Sequence, residues 1–216
     1  DGGESTLQYE GAWGDYNLGY SYASDSRNLS YGISGGAVVH EDGLTLSQPL
    51  GNTNILVKAP GASNVAVLNH KGIKTDGRGY AVIPYATPYR VNQVALDVTT
   101  AGNDVELENA IANKTPTDGA LVRATFTTHQ GAKAMFIVRH GNDVLPFGTL
   151  VSLDDDKTSG IVGDGGSLYL SGLSEKGTLN AVWGRGSRQR CAITYALNKQ
   201  NYNARTGLYS QEVVCQ

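Results

Sequence analysis

Residues 31–46 read YGISGGAVVHEDGLTL, and Gly32, Ser34 and Gly36 satisfy the G-x-S-x-G pattern that presents a nucleophilic serine in many hydrolases. That chemistry needs the serine on a sharp strand-to-helix turn, with a histidine and a carboxylate in reach. Beyond Ser34 the chain runs on through AVVHEDGLTL, an extended pattern, so the turn is missing. The four histidines, His40, His70, His129 and His140, are scattered with no recurring acidic partner at short range. Ser34 is therefore rejected as a nucleophile. Asp154-Asp155-Asp156 lacks the alternating ligands, the glycine and the final glutamate of a calcium loop, and reads as a solvated turn between strands. Arg185, Arg188 and Arg190 crowd a loop after Trp183, either as exposed loop charge or as a surface for an acidic partner.

Cys191 and Cys215 have no second cysteine or histidine within four residues, which argues against a metal site. Their spacing suits a disulfide that closes a hairpin or pins a tail to a sheet, and so an oxidising compartment, with two free buried thiols as the alternative. Such a bridge contributes roughly 3 kcal/mol on a chain-entropy estimate. The 216 residues carry a net charge of −3, and the 17 lysines and arginines form no basic stripe, so a nucleic-acid surface has little support. No apolar run reaches the roughly 18 residues of a membrane-spanning helix; a β-barrel remains open, because barrel strands leave a weaker trace.

The elements that must position these residues read as all-β. Short alternating runs broken by Gly, Asn and Asp recur along a chain with 28 glycines. Only residues 106–114, ELENAIANK, have a helical composition, and they read as a turn or a short helical excursion. In the first fifty residues Leu7, Tyr9 and Trp13 share one parity, as do Tyr16, Leu18, Tyr20 and Tyr22, and then Leu29, Tyr31, Ile33, Ala37 and Val39. Asn17, Gly19, Ser21, Ser30, Gly32 and Ser34 take the opposite parity. An aromatic and aliphatic face opposite a small polar face is what a transmembrane barrel strand requires, although a soluble sandwich with one buried face alternates in the same way. From residue 51 the pattern changes to a small β domain, with strands at Ile55 to Lys58, Val65 to Leu68, Tyr80 to Tyr85 and Ala120 to Thr127 and a turn at Lys74 to Gly79. A second such domain comes after it, ending in CAITYAL and a tail to Cys215.

Several extended stretches, in order, carry a resemblance: KAPGASNVAV, GIKTDGRGYAVIPYATPYRVNQVALD, PFGTLVSLDDDKTSGIVGDGGSLYLSGL, the WG pair and the paired Cys191 and Cys215. Together they resemble the C-terminal part of the fimbrial outer-membrane ushers of the chaperone-usher pathway, over essentially the whole chain. The resemblance implies an all-β architecture in which residues 1–50 are the last strands of a transmembrane β-barrel. Two small periplasmic β-sandwich domains would occupy 51–130 and 131–216, the second with the disulfide. It also implies a fragment, because ushers carry more barrel strands, a plug and an N-terminal domain. Isolated barrel strands would expose their edges and apolar face, and would fold onto a neighbour, swap between molecules or pair in detergent.

The implied function is non-enzymatic and cofactor-free. The domains hold complexes of a periplasmic chaperone with a pilus subunit below the pore while donor-strand exchange proceeds, with other usher domains and the outer membrane as further partners and no nucleic acid. A pilus subunit or an adhesin-like structural module is the alternative. Exposed aromatic and arginine residues usually anchor interfaces, so the expected docking residues are Arg78, Tyr85, Tyr89 and Arg90 in the first domain and Arg185 and Arg188 in the second. Tyr80 reads as core, since it opens a hydrophobic strand. Arg78→Ala and Arg90→Ala are expected to weaken capture with the melting temperature unchanged.

Overall fold

The computed structural model describes residues 2–153, 158–186 and 189–216; Asp154, Asp155, Asp156 and Arg188 thus lie outside the described residues. The chain divides into two compact units, Asp1–Gly102 with Leu107–Thr128 and Asn103–Glu106 with His129–Gln216.

The first unit begins with an antiparallel meander of β1 (Gly3–Gly11), β2 (Gly14–Ala23) and β3 (Ser26–Ser34). Two-residue turns at 12–13 and 24–25 set a register in which Leu7, Leu18 and Tyr31 stand in one row and Tyr9, Tyr16 and Ile33 in the next. The period of two then places every large apolar side chain on one face. The chain breaks at Gly35 and forms a separate hairpin, β4 (Gly36–His40) and β5 (Gly43–Ser47).

The core of the unit is a three-stranded sheet in which β6 (Asn54–Lys58) lies between β7 (Tyr80–Ile83), antiparallel, and β11 (Leu121–Thr125), parallel. Residues 54–57 and all of β7 are buried, so both faces of these strands are covered, which accounts for their continuous apolar sequence. One face, with Ile55, Val57, Ala81 and Ile83, looks into the main core. The other, with Leu56, Tyr80 and Val82, is closed by Val38 of the β4–β5 hairpin. Two more strands, β8 (Asn92–Ala95) and β10 (Ile111–Lys114), pair antiparallel. Short strands β9 (Val105–Leu107) and β12 (Thr128–Gln130) lie where the chain passes from one unit to the other.

Two details differ from the sequence reading. ELENAIANK is neither helix nor turn: its ends fall in β9 and β10, because Ile111 and Ala112 find partners in Ala95 and Val94 that outweigh local propensity. Val65 to Leu68 is not a strand but a loop held by two single bridges, Ala66 to Lys74 and Val67 to Leu96.

The second unit is a two-sheet sandwich. One sheet centres on β13 (Ala132–His140), flanked by β14 (Asp143–Val144) and β17 (Ser167–Leu173), and on its other side by β21 (Leu208–Val214) and β20 (Tyr202–Asn203). The other has the order β16 (Ser159–Ile161), β15 (Leu150–Leu153), β18 (Lys176–Val182), β19 (Arg190–Ala196). Phe136, Val138, Leu168, Leu170 and Val213 from the first sheet meet Val151, Leu179, Ala181, Ile193 and Tyr195 from the second. The alternating residues of each strand face outward.

Candidate functional site

Ser34 ends β3 on its polar face with Asp15 opposite in register, and no helix succeeds it. His40 is committed elsewhere: its Nε2 lies 2.9 Å from Thr45 Oγ1, and its ring stacks on Tyr80 at 4.8 Å. His140 Nδ1 sits 3.3 Å from the carbonyl of Cys215. Among the described residues, no group of three His, Cys, Asp or Glu is placed to hold a metal ion.

The β1–β3 sheet carries Leu7, Tyr9, Tyr16, Leu18, Tyr20, Tyr22, Leu29, Tyr31 and Ile33 on one side, all of them solvent-exposed. Its other side carries Thr6, Gln8, Asn17, Gly19, Asn28, Ser30 and Gly32. A soluble sandwich buries its apolar face. Here that face is bare while the polar side is equally open, the arrangement of a sheet that divides lipid from an aqueous lumen.

Arg78 sits in the turn between the Ala66–Lys74 bridge and β7. Asp76 shapes this turn by accepting hydrogen bonds from the backbone N–H groups of Arg78 and Tyr80, each at 2.9 Å. Gly79 completes it with φ +92°, where a Cβ would strike the carbonyl of Ala59. The turn aims the Arg78 guanidinium at the β4–β5 hairpin, where it donates to the Asp42 carbonyl at 2.7 Å and the Leu44 carbonyl at 2.5 Å. It also lies 5.3 Å from the Tyr80 ring. Lys58 Nζ meets the Asp42 carboxylate at 2.7 Å, and Arg123 pairs with Glu41. The bond to Asp42 raises the Lys58 pKa; burial, then the Asp42 contact, raises that of the Tyr80 hydroxyl. Arg78 is thus engaged within the unit, and Tyr80 is core.

Residues 84–91, PYATPYRV, form the other feature of this unit. Tyr85, Tyr89, Arg90 and Val91 are exposed. Tyr85 and Tyr89 both have positive φ, 56° and 57°, a conformation that costs an aromatic residue about 1 kcal/mol or more. Asn92 over-determines the loop: its Oδ1 accepts from Thr87 N at 2.8 Å, and its Nδ2 donates to the carbonyls of Thr87 at 2.8 Å and Arg90 at 2.9 Å. The Tyr89 N–H donates to the Pro116 carbonyl at 2.7 Å. The result is a hydrogen-bonded loop that presents two tyrosines and an arginine to solvent. Both strained residues are invisible to pattern reading, which found the tyrosines only by type.

In the second unit Arg185 is exposed in the loop after β18. Cys191 on β19 and Cys215 after β21 form a disulfide with Cα atoms 5.5 Å apart, joining the two sheets. The Tyr169 hydroxyl donates to Glu106 Oε2 at 2.9 Å; burial and then this bond push its pKa up to about 12. The sequence reading did not single out Phe147, Leu150 and Ile161, which stand exposed, the last two opposite one another on β15 and β16. The signal was there in PFGTLVSL, where Phe147 precedes and Leu150 opens a strand whose inward position is taken by buried Val151.

The family model for the outer membrane usher protein matches residues 1–126, and that for the PapC C-terminal domain matches residues 135–199. The outer membrane usher protein FimD of Escherichia coli K12 is 48% identical over 195 residues, 90% of this chain and 22% of that protein. The probable outer membrane usher protein ElfC of the same strain is 45% identical over 205 residues, 94% of this chain and 24% of that protein. LpfC of Salmonella typhimurium is 40% identical over 216 residues, 99% and 25% respectively. The chain therefore spans about a quarter of the length of these curated relatives. A solved P pilus tip assembly intermediate of E. coli, PapC-PapD-PapK-PapG, shares the fold over 99% of this chain and 26% of its own, with TM-score 0.64 and 20% identity. With the usher model alone covering more than half of its residues, the chain belongs to the outer membrane usher family, as a C-terminal region of it.

Proposed function

We propose that this chain acts in pilus assembly at the bacterial outer membrane, with residues 1–50 as the terminal barrel strands. Residues 51–130 and 131–216 are then periplasmic domains that receive chaperone–subunit complexes and hold them for donor-strand exchange. The observation that carries this reading is the β1–β3 sheet, whose apolar and polar faces are both bare, in a chain of the usher family. The work done is strand replacement of the β-augmentation kind, driven by folding and binding energy, and no residue of the chain is needed as a catalyst.

Tyr85, Tyr89 and Arg90 form the docking surface of the first domain, with Arg185, Arg188 and the apolar residues Phe147, Leu150 and Ile161 serving in the second. Arg78 contributes by seating the hairpin beneath. Backbone strain held by hydrogen bonds beside exposed aromatic side chains supports the first assignment.

Calorimetry of the chain in mild detergent against a chaperone–subunit complex, with the chaperone alone as control, tests the proposal. Saturable binding to the complex is expected. Tyr85→Gly and Tyr89→Gly should weaken it at least tenfold while the melting temperature holds or rises, because glycine relieves the positive φ. Binding that survives both substitutions removes the loop from the interface. No binding by the unmodified chain at high micromolar concentration overturns the docking function.

A further inference from the structure

The turn that joins β1 to β2 borders a cleft of about 660 Å3 lined by Tyr9, Glu10, Trp13, Tyr16, Gly72 and Lys74. Its position is built by specific contacts. Gln48 Nε2 donates to the carbonyls of Gly11 at 3.2 Å and Lys71 at 3.0 Å, tying the turn to the 70–72 loop. Lys71 pairs with Glu10 at 3.2 Å. Gly72 lies so close to the Glu10 carbonyl that a Cβ would collide with it. Lys74 is exposed on the rim and has no acidic partner among the described residues. The Tyr9 and Tyr16 rings lie 6.1 Å apart and belong to the bare apolar face of the sheet, so the aromatic wall of the cleft continues that face without interruption.

We infer that this cleft binds a membrane glycerophospholipid, with its phosphate at Lys74 and its glycerol and upper acyl chains against Tyr9, Trp13 and Tyr16. Charge complementarity supplies the first half of the argument, since Lys74 is a cation left over beside the satisfied Lys71–Glu10 pair. Continuity with the apolar face supplies the second, because acyl chains that cover Leu7, Leu18 and Tyr31 would run directly into the cleft. Tyrosine and tryptophan suit the level where one end of the ring is apolar and the other wet. The turn at 12–13 lies at the same end of the sheet as Ser34, where the chain leaves β3 for the hairpin and the sandwich. The inference rests on the proposed reading of the β1–β3 sheet as barrel wall, under which this end faces the periplasmic leaflet, the glycerophospholipid side of the outer membrane.

The test uses the full chain in mild detergent with Trp183→Phe, which leaves Trp13 as the single tryptophan. Quenching of Trp13 by brominated phosphatidylglycerol is compared with quenching by brominated diacylglycerol, which has the same chains and no phosphate. Native mass spectrometry of the chain with both tryptophans counts retained phospholipid independently. The phospholipid should half-saturate quenching at a roughly fivefold lower mole fraction, the value of one lysine facing a phosphate. Lys74→Glu should abolish that advantage and the retained lipid. Equal quenching by the two lipids, unchanged by Lys74→Glu, overturns the site but leaves the apolar face as lipid-facing. Quenching by neither lipid overturns the barrel-wall reading and the site with it.

Discussion

Replacing Arg78 by alanine separates a residue that seats the β4–β5 hairpin from one that meets a partner. The guanidinium donates to the carbonyls of Asp42 and Leu44 and lies 5.3 Å from the Tyr80 ring. Charge-assisted hydrogen bonds contribute about 1.5–3 kcal/mol each when shielded from water. The Arg78 side chain is 45% exposed, so solvent screening reduces each bond to roughly 0.7 kcal/mol. The cation–π contact adds about 0.5 kcal/mol. Arg78→Ala should therefore cost about 2 kcal/mol and, at about 4 °C per kcal/mol for a unit of this size, lower the melting temperature by about 8 °C. Thermal melts of the chain in mild detergent provide the first readout. Amide exchange across residues 36–47 provides the second and should accelerate, because the hairpin loses its anchor. Arg78→Lys keeps the charge over Tyr80 but cannot span two carbonyls, and should recover about half the loss. An unchanged melting temperature with unchanged exchange in β4 and β5 refutes this reasoning and returns Arg78 to the docking surface, where the sequence alone places it.

Reducing the Cys191–Cys215 bridge, or replacing both cysteines by alanine, should cost roughly 3 kcal/mol and lower the melting temperature of the second unit by about 15 °C, as read by scanning calorimetry. A shift under about 3 °C would mean that the strand pairing of β21 with β13 already holds the tail. Tyr169 stays neutral in the fold up to about pH 12, whereas the unfolded chain ionises near 10. Its contribution is thus fully present below pH 10 and is lost as the pH rises from 10 to 12. Chemical denaturation across that range should show the decline, Tyr169→Phe should flatten it, and an equally steep decline in the variant counts against the assignment. Arg90→Ala should weaken binding of the chaperone–subunit complex by several-fold in calorimetry without changing the melting temperature; a fall in stability with binding intact removes it from the docking surface.

Much of the fold was legible because it is local. The period of two from Leu7 to Ile33 specifies both faces of the first three strands, while their pairing and the turns at 12–13 and 24–25 are read from the structure. The Asp76 turn was legible from its residues, since an aspartate that accepts from the N–H groups two and four positions on needs only its own neighbours. Failures came where a distant partner decided the outcome. ELENAIANK has helix-forming composition, and only β8 makes strands of its last residues. Parity carried Ala37 and Val39 along with Tyr31 and Ile33, but the structure breaks the chain at Gly35 and turns Val38 onto Leu56, Tyr80 and Val82. Residue type alone named Tyr85, Tyr89 and Arg78; the positive φ of the two tyrosines and the bonds from the half-exposed Arg78 to the hairpin depend on contacts that residue type does not carry.

The all-β class and the two-faced character of the first three strands follow from residue type and a period of two along short stretches of chain, and the resemblance carried by several longer stretches pointed to the family that the comparisons show. Long-range packing is what pairs β6 parallel with β11 and β13 with β21, lays the β4–β5 hairpin over the second face of β6 and β7, and lets an arginine and a lysine hold it there. Parallel pairing joins strands more than sixty residues apart, and burial on both faces erases the alternation that would reveal a strand's orientation. Such choices are made by the packing of surfaces that do not exist until the chain has folded.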